Sequence, residues 1–192
     1  MEMLVMAVGS YQTNCYMLWQ KGREDCVLID PGSAHKEILE IVEKQGKTVA
    51  AILLTHGHFD HVGAVRKIAE QAKCPVYLCP EENKLPAFMT AGPLYSTDGY
   101  GDSVCVAGLQ FEVLPTPGHT PGSVCLLCEG MLFSGDTLFA GSCGRTDFPG
   151  SDPKAMKVSL QKLKMLPGDF RVFPGHGEDT TLSYERENNP YM

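Results

Sequence analysis

The 192 residues, 43% hydrophobic and 20% charged, have the composition of a globular chain, and the length fits one domain, residues 1–192, with a sizeable core. A formal charge of −7, with lysine and arginine dispersed, argues against a surface built for nucleic-acid phosphates, so no nucleic-acid partner is expected. The start Met1-Glu2-Met3-Leu4-Val5-Met6 has no basic n-region, and no run reaches the ~18 apolar residues of a membrane helix; a cytoplasmic location and no membrane partner are expected.

Residues 3–8, 14–19 and 26–29 read as strands of an early β-meander, the third ending in Asp30-Pro31-Gly32. Ser33 is expected to cap a helix running to about Lys44, with Ile38, Leu39, Ile41 and Val42 as its apolar stripe and Gly46 as its stop. The apolar, partly β-branched run 49–54 reads as a buried strand with a loop at its end, and residues 63–72 as a helix turning Val65, Ile68 and Ala69 inward. A strand is expected at 75–79. Periodicity is then lost over 80–101, which carries Pro86, Gly92, Pro93, Gly99 and Gly101; it reads as a long surface excursion with a short helix near 81–85. Short strands follow at 103–107, 109–114, 123–128 and 131–134. A helix over 153–166, capped by Ser151 or Asp152, a strand at 171–173 and a short helix within 180–188 complete the chain.

The eight cysteines are spread through these strands rather than arranged as a disulfide framework. Cys125 and Cys128 form a Cys-x-x-Cys, but residues three apart on a strand point to opposite faces, so reduced, mostly buried thiols are expected instead of a shared metal.

Thr55-His56-Gly57-His58-Phe59-Asp60-His61 places three imidazoles and a carboxylate within six residues, at the end of the 49–54 strand. Neutral imidazole nitrogen and carboxylate oxygen are the ligands taken by zinc and its first-row neighbours. His119, in Thr116-Pro117-Gly118-His119-Thr120-Pro121-Gly122, and His176, in Pro174-Gly175-His176-Gly177, each follow a strand in a tight Gly/Pro loop, and Asp136 follows Ser134-Gly135 in the same way. Strand ends on one sheet edge are where distant ligands converge. His35, at the start of a helix, lacks this context and reads as structural.

These motifs, in this order and together with Asp-Pro-Gly at 30–32, resemble the metallo-β-lactamase superfamily. Nearly end to end the chain is similar to its single-domain, glyoxalase II-like (hydroxyacylglutathione hydrolase-like) metallohydrolases, including Gly144-Arg145-Thr146-Asp147-Phe148-Pro149-Gly150 and the tail Tyr184-Glu185-Arg186-Glu187-Asn188-Asn189-Pro190. The resemblance implies an α/β (α+β) fold of αββα type, two mixed sheets face to face with helices outside, and two divalent ions at one edge, zinc first and iron or manganese as alternatives. His56, His58 and His119 would hold one ion and Asp60, His61 and His176 the other. Asp136 would bridge them, Asp60 and Asp136 being the carboxylates at the reacting centre. Asp30 would support the ligand loop from behind, Arg145 would contact substrate, and Tyr11 and Tyr95 would line the pocket.

The implied activity is hydrolysis, by water activated between the ions, of a small-molecule thioester such as S-lactoylglutathione or the thioester of another small thiol. Esters, lactones and lactams stand behind it. The two-domain members carry a further helical domain that supplies much of the glutathione contact, and no counterpart is expected here. The rival reading is a mononuclear-iron persulfide dioxygenase, which shares the stretch at 143–148 but usually carries Pro-Ala-His-Asp where this chain has Pro174-Gly175-His176-Gly177. A non-enzymatic metal-binding or redox-sensing module is disfavoured, since no cysteine lies in the ligand motifs.

Overall fold

The structure, a computed structural model, describes residues 1–90 and 92–192. Strand β1 (Glu2–Val8) pairs antiparallel with β2 (Thr13–Trp19), and β2 with β3 (Asp25–Ile29). Helix α1 (His35–Lys44) returns the chain so that β4 (Thr48–Leu53) lies parallel to β3. The one-turn α2 (Phe59–Val62) and α3 (Val65–Ala72) then lead to β5 (Val76–Tyr77), parallel to β4. The first sheet therefore runs β1-β2-β3-β4-β5.

A second meander follows, β6 (Ser103–Val106), β7 (Leu109–Pro115), β8 (Val124–Cys128) and β9 (Met131–Gly135), each pair antiparallel. After a small hairpin of β10 (Leu138–Phe139) and β11 (Ser142–Cys143) and helix α4 (Pro153–Lys164), β12 (Arg171–Pro174) joins β9 in parallel. Then come β13 (Thr180–Thr181) and α5 (Leu182–Asn188), and the second sheet runs β13-β12-β9-β8-β7-β6.

Both sheets are covered on both faces, and the period-2 alternation of strand side chains shows it. In β2, Cys15, Met17 and Trp19 join one apolar cluster with Ile38, Val42, Val65 and Ile68 of α1 and α3, while Tyr16 and Leu18 join another with Phe111, Leu126 and Phe133 of the opposite sheet. In β8, Leu126 and Cys128 face that inter-sheet cluster, and Cys125 faces Met156, Leu160 and Leu163 of α4. Helices, sheet, sheet and helices are the four layers of the αββα fold. The two thiols of the Cys-x-x-Cys thus lie on opposite faces, each free and buried. Burying a side chain such as Phe111 or Phe133 contributes roughly 1.5–3 kcal/mol relative to exposure. Among the described residues no helix is long and apolar enough to cross a membrane.

Strand direction brings the motifs together. The parallel pair β3 and β4 ends on one edge, and β7, β9 and β12 run in a common direction in the second sheet and end on the same edge. Hydrogen bonds close the two sheets there: Asn14 N donates to Gly175 O at 2.8 Å and Val124 N to Thr55 O at 2.9 Å.

Some expectations are corrected. Ser33 does not cap α1; the cap position is Ala34, held in left-handed backbone at φ 57°, with no side-chain cap. The histidine stretch is only half loop: His58 O accepts from His61 N and Val62 N, winding Asp60 and His61 into the extra one-turn helix α2, and the helix expected at 63–72 follows as α3, starting at Val65. The strand at 75–79 shrinks to β5, because the chain leaves the sheet edge into a 3₁₀ turn over Pro80–Lys84. The hairpin β10–β11 and strand β13 escape sequence reading, since two-residue strands carry no alternation. Asp152, not Ser151, caps α4, accepting from Lys154 N and Ala155 N. Within the 80–101 excursion, residue 91 lies outside the described residues.

Candidate metal centre

At the shared edge, side chains from five strand ends meet. His56, His58 and His119 form one group and Asp60, His61 and His176 a second, with ligand-type atoms within 4.8 Å of one another in each. Asp136 stands between them: Oδ1 lies 3.4 Å from His61 Nε2, and Oδ2 lies 3.4 Å from His119 Nε2 and 3.8 Å from His176 Nε2. All seven side chains singled out for metal binding in the sequence are therefore gathered, and His35 at the start of α1 is not among them.

The far side of each ring decides which nitrogen is free to ligate. His119 Nδ1 donates to the Arg145 carbonyl at 2.8 Å and His176 Nδ1 to the Tyr11 carbonyl at 3.1 Å. Asp30 accepts from Thr55 N at 2.8 Å and from Thr55 Oγ1 at 2.6 Å, and its Oδ2 also accepts from His61 Nδ1 at 3.0 Å. Since the Thr55 hydroxyl proton goes to Asp30, Oγ1 accepts from His56 Nδ1 at 3.1 Å. Four imidazoles thus have Nδ1 occupied and Nε2 turned to the centre, the arrangement that orients metal-binding histidines.

The donor set fits a divalent cation. His56 Nε2, His58 Nε2, His119 Nε2 and Asp136 Oδ1 are buried without a hydrogen-bond partner. A polar atom left so typically costs about 1–3 kcal/mol, which coordination would offset. Burial, with the neighbouring histidines adding, pushes His56 well below its ordinary pKa and His58 down to about 3; burial also lowers His119. These imidazoles are neutral, as ligands must be.

His61 behaves oppositely. Burial disfavours its charge, but Asp136, Asp30 and Asp60 overcome it and raise the pKa to about 9; His176 is raised too, by its contact with Asp60 against the same opposition from burial. Because the folded pKa of His61 lies above its ordinary 6.5, its protonation stabilises the metal-free fold below that pH, and the contribution is lost as pH rises through about 9. With His61 as a ligand, metal uptake near neutral pH would expel that proton. Calorimetric titration in buffers of different ionisation enthalpy is expected to show release of about one proton or more per chain; no release would mean that His61 is neutral beforehand.

Glycines make the loops fit. A Cβ on Gly32 would lie 1.5 Å from the Asp60 carbonyl oxygen, one on Gly144 1.7 Å from that of Asp136, and one on Gly175 2.3 Å from Asp136 Oδ1. Asp-Pro-Gly, Cys-Gly-Arg and Pro-Gly-His are thus close-approach points around Asp60 and Asp136. Arg145 turns its guanidinium outward into a two-pronged pair with Asp147 at 2.7 Å and over the Phe148 ring at 3.8 Å, while its carbonyl holds His119. Tyr11 is exposed and meets Phe59 edge-on at 5.1 Å beside Asp60. Tyr95 packs under Arg66 at 4.9 Å. Sequence reading missed Thr55 as a support for His56; its place directly before the first histidine was the available signal.

An αββα sandwich with a His/Asp centre at its open edge defines a metal-dependent class. Residues 8–176 match the metallo-beta-lactamase superfamily, and the chain belongs to it. An uncharacterized protein of Aquifex aeolicus is 39% identical over 97% of this chain and 95% of its own. The hydroxyacylglutathione hydrolase GloC of Haemophilus influenzae is 31% identical, covering 100% of this chain and 98% of its own. Among solved structures, the BLEG-1 B3 metallo-beta-lactamase superposes with TM-score 0.89 at 35% identity, covering 99% of both chains. TTHA1623 in a di-iron-bound form gives 0.86 at 39% identity over 98% of this chain and 100% of its own. ETHE1 from Myxococcus xanthus gives 0.84 at 29% identity, over 99% and 84%.

Proposed function

We propose that this chain is a dinuclear metallohydrolase that cleaves small-molecule thioesters of the S-lactoylglutathione type. The observation that carries the reading is the pair of three-residue groups, His56/His58/His119 and Asp60/His61/His176, with Asp136 facing both. The likeness to GloC over nearly its whole length supports the thioester substrate.

Two divalent ions held by these groups, zinc first, would supply an acidified water and a Lewis acid for the thioester carbonyl. The residues of the chain hold and aim that chemistry. The Nδ1 donors of His56, His61, His119 and His176 lock the rings, and Asp60 Oδ2, 3.2 Å from His176 Nε2, is kept in place by Thr13 Oγ1 at 3.4 Å. Burial opposes the charge of Asp60, but His176 and His61 hold its pKa down at about 2, so it is a carboxylate at every working pH. A thiolate, whose parent thiol has a pKa of roughly 8.5, departs without a strong general acid, and none is required of the chain. Tyr11 and Phe59 offer an apolar wall beside Asp60, and Arg145 a cation for a substrate carboxylate in exchange with Asp147.

The test is hydrolysis of S-lactoylglutathione by the full chain, with metal content measured on the same sample and His58→Ala as control. Turnover with close to two metals per chain, lost in the variant, is expected. A single iron, with oxygen consumed on addition of a persulfide, would replace this reading with the dioxygenase. Two metals without turnover would shift the substrate to other thioesters or to esters.

A further inference from the structure

Outside the seven side chains, one buried ionisable group touches the backbone of two ligand loops. Glu82, in the 3₁₀ turn over Pro80–Lys84 of the long excursion, is 0% exposed. Its Oε2 accepts from Gly57 N and its Oε1 from Gly122 N, both at 2.6 Å. Gly57 lies between His56 and His58, and Gly122 closes the loop that carries His119. One carboxylate therefore bridges the two pieces of chain that deliver the three-histidine group.

The approach explains two motif glycines. A Cβ on Gly122 would lie 2.7 Å from Glu82 Oε1, and one on Gly57 3.0 Å from Oε2. The charge matters as well. Among the described residues Glu82 has no cationic side chain at hydrogen-bond distance, and burial raises its pKa, although Thr120 and the two backbone N–H groups pull the other way. An unpaired buried carboxylate is costly to hold ionised, and two short charge-assisted bonds offset only part of that cost. A divalent ion among the neutral His56, His58 and His119 would be the missing counter-charge, since those residues share the buried loops that Glu82 ties together.

We propose that Glu82 is a positioning residue for the three-histidine group: its carboxylate ties the backbone of His56 and His58 to that of His119, and its negative charge raises the affinity of that group for a divalent cation. Glu82 is out of contact with the reacting centre and acts through the loops. The inference rests on the metal reading above and adds to it a residue that no ligand motif contains.

The experiment is titration of the metal-free full chain with cobalt(II), followed by visible absorption and chelator competition, with His58→Ala and His176→Ala assigning each binding step to its group. Glu82→Gln is expected to weaken the three-histidine step by about 10–100-fold, the usual effect of removing a group that orients a metal-binding residue, and to leave the other step within about threefold. Glu82→Asp keeps the charge but is one methylene shorter and should recover part of the loss. Gly122→Ala disturbs one arm of the clamp while leaving the charge, and should weaken the same step even if the Glu82 variants fold poorly. Thermal unfolding of each metal-free sample separates this from scaffolding. Wild-type affinity in Glu82→Gln, or equal weakening of both steps in proportion to lost stability, would overturn the proposal. A wild-type chain that takes up no cobalt would overturn this proposal and the metal reading together, whereas normal uptake by both chains removes only the role of Glu82.

Discussion

For the dinuclear thioesterase proposed above, Asp136→Asn is expected to reduce bound metal from two ions per chain to one and to lower thioester turnover by about a hundredfold to a thousandfold, the usual scale for removing a preorganised charge at a reacting centre. Asp136 turns one oxygen toward each group, Oδ1 3.4 Å from His61 Nε2 on one side and Oδ2 3.4 Å from His119 Nε2 on the other. Asparagine keeps the volume, so the tight approach of Gly175 is undisturbed and the fold should survive. What changes is that one of two acceptor oxygens becomes an NH₂ donor aimed where a ligand should be. The raised pKa of His61 owes most among its charged neighbours to Asp136, so it should fall in the metal-free variant. Metal analysis, steady-state turnover and an NMR titration of His61 check the three parts. Two tightly bound metals with near-wild-type turnover would remove Asp136 from its proposed place.

The second large effect concerns Asp30, which is buried in left-handed backbone at φ 49°. Asparagine tolerates that conformation well, so Asp30→Asn isolates the chemistry. One oxygen can still accept from Thr55 N, but the other position now carries an NH₂ that cannot accept from both Thr55 Oγ1 and His61 Nδ1. His61 is driven to the tautomer protonated on Nε2, the nitrogen that faces Asp60, Asp136 and His176. The affinity of that group for metal is expected to fall about 10–100-fold, with the three-histidine group less affected. Asp30→Ala leaves the three donors without an acceptor and should cost about 3–5 kcal/mol of stability as well. Competition titration and thermal unfolding of the two variants measure these outcomes. Unchanged affinity in Asp30→Asn would show that the tautomer is set elsewhere.

Much of the centre was legible beforehand because ligand chemistry is written in side-chain identity. His56, His58, Asp60 and His61 are adjacent in sequence, and His119, Asp136 and His176 each sit just past an apolar run, where a strand must end. The elements were legible for a similar reason: β7 alternates with period 2, β2 and β8 are short, largely apolar runs bounded by turn residues, as strands covered on both faces are, and α1, α3 and α4 carry apolar residues with period 3.6. Only the tertiary structure decided the rest. Strand directions, which bring the ends of β3, β4, β7, β9 and β12 to one edge, depend on pairings between distant residues. The carbonyls of Tyr11 and Arg145 that orient His176 and His119 are main-chain groups, which every residue possesses and no motif marks. Glu82, beside Glu81 in a segment without periodicity, becomes distinct from its neighbour only when packing buries one carboxylate against Gly57 and Gly122 and leaves the other in water. Residue type determined what chemistry the chain can perform, whereas long-range packing determined which backbone groups hold that chemistry in place, because local sequence does not encode a hydrogen bond between segments far apart in the chain.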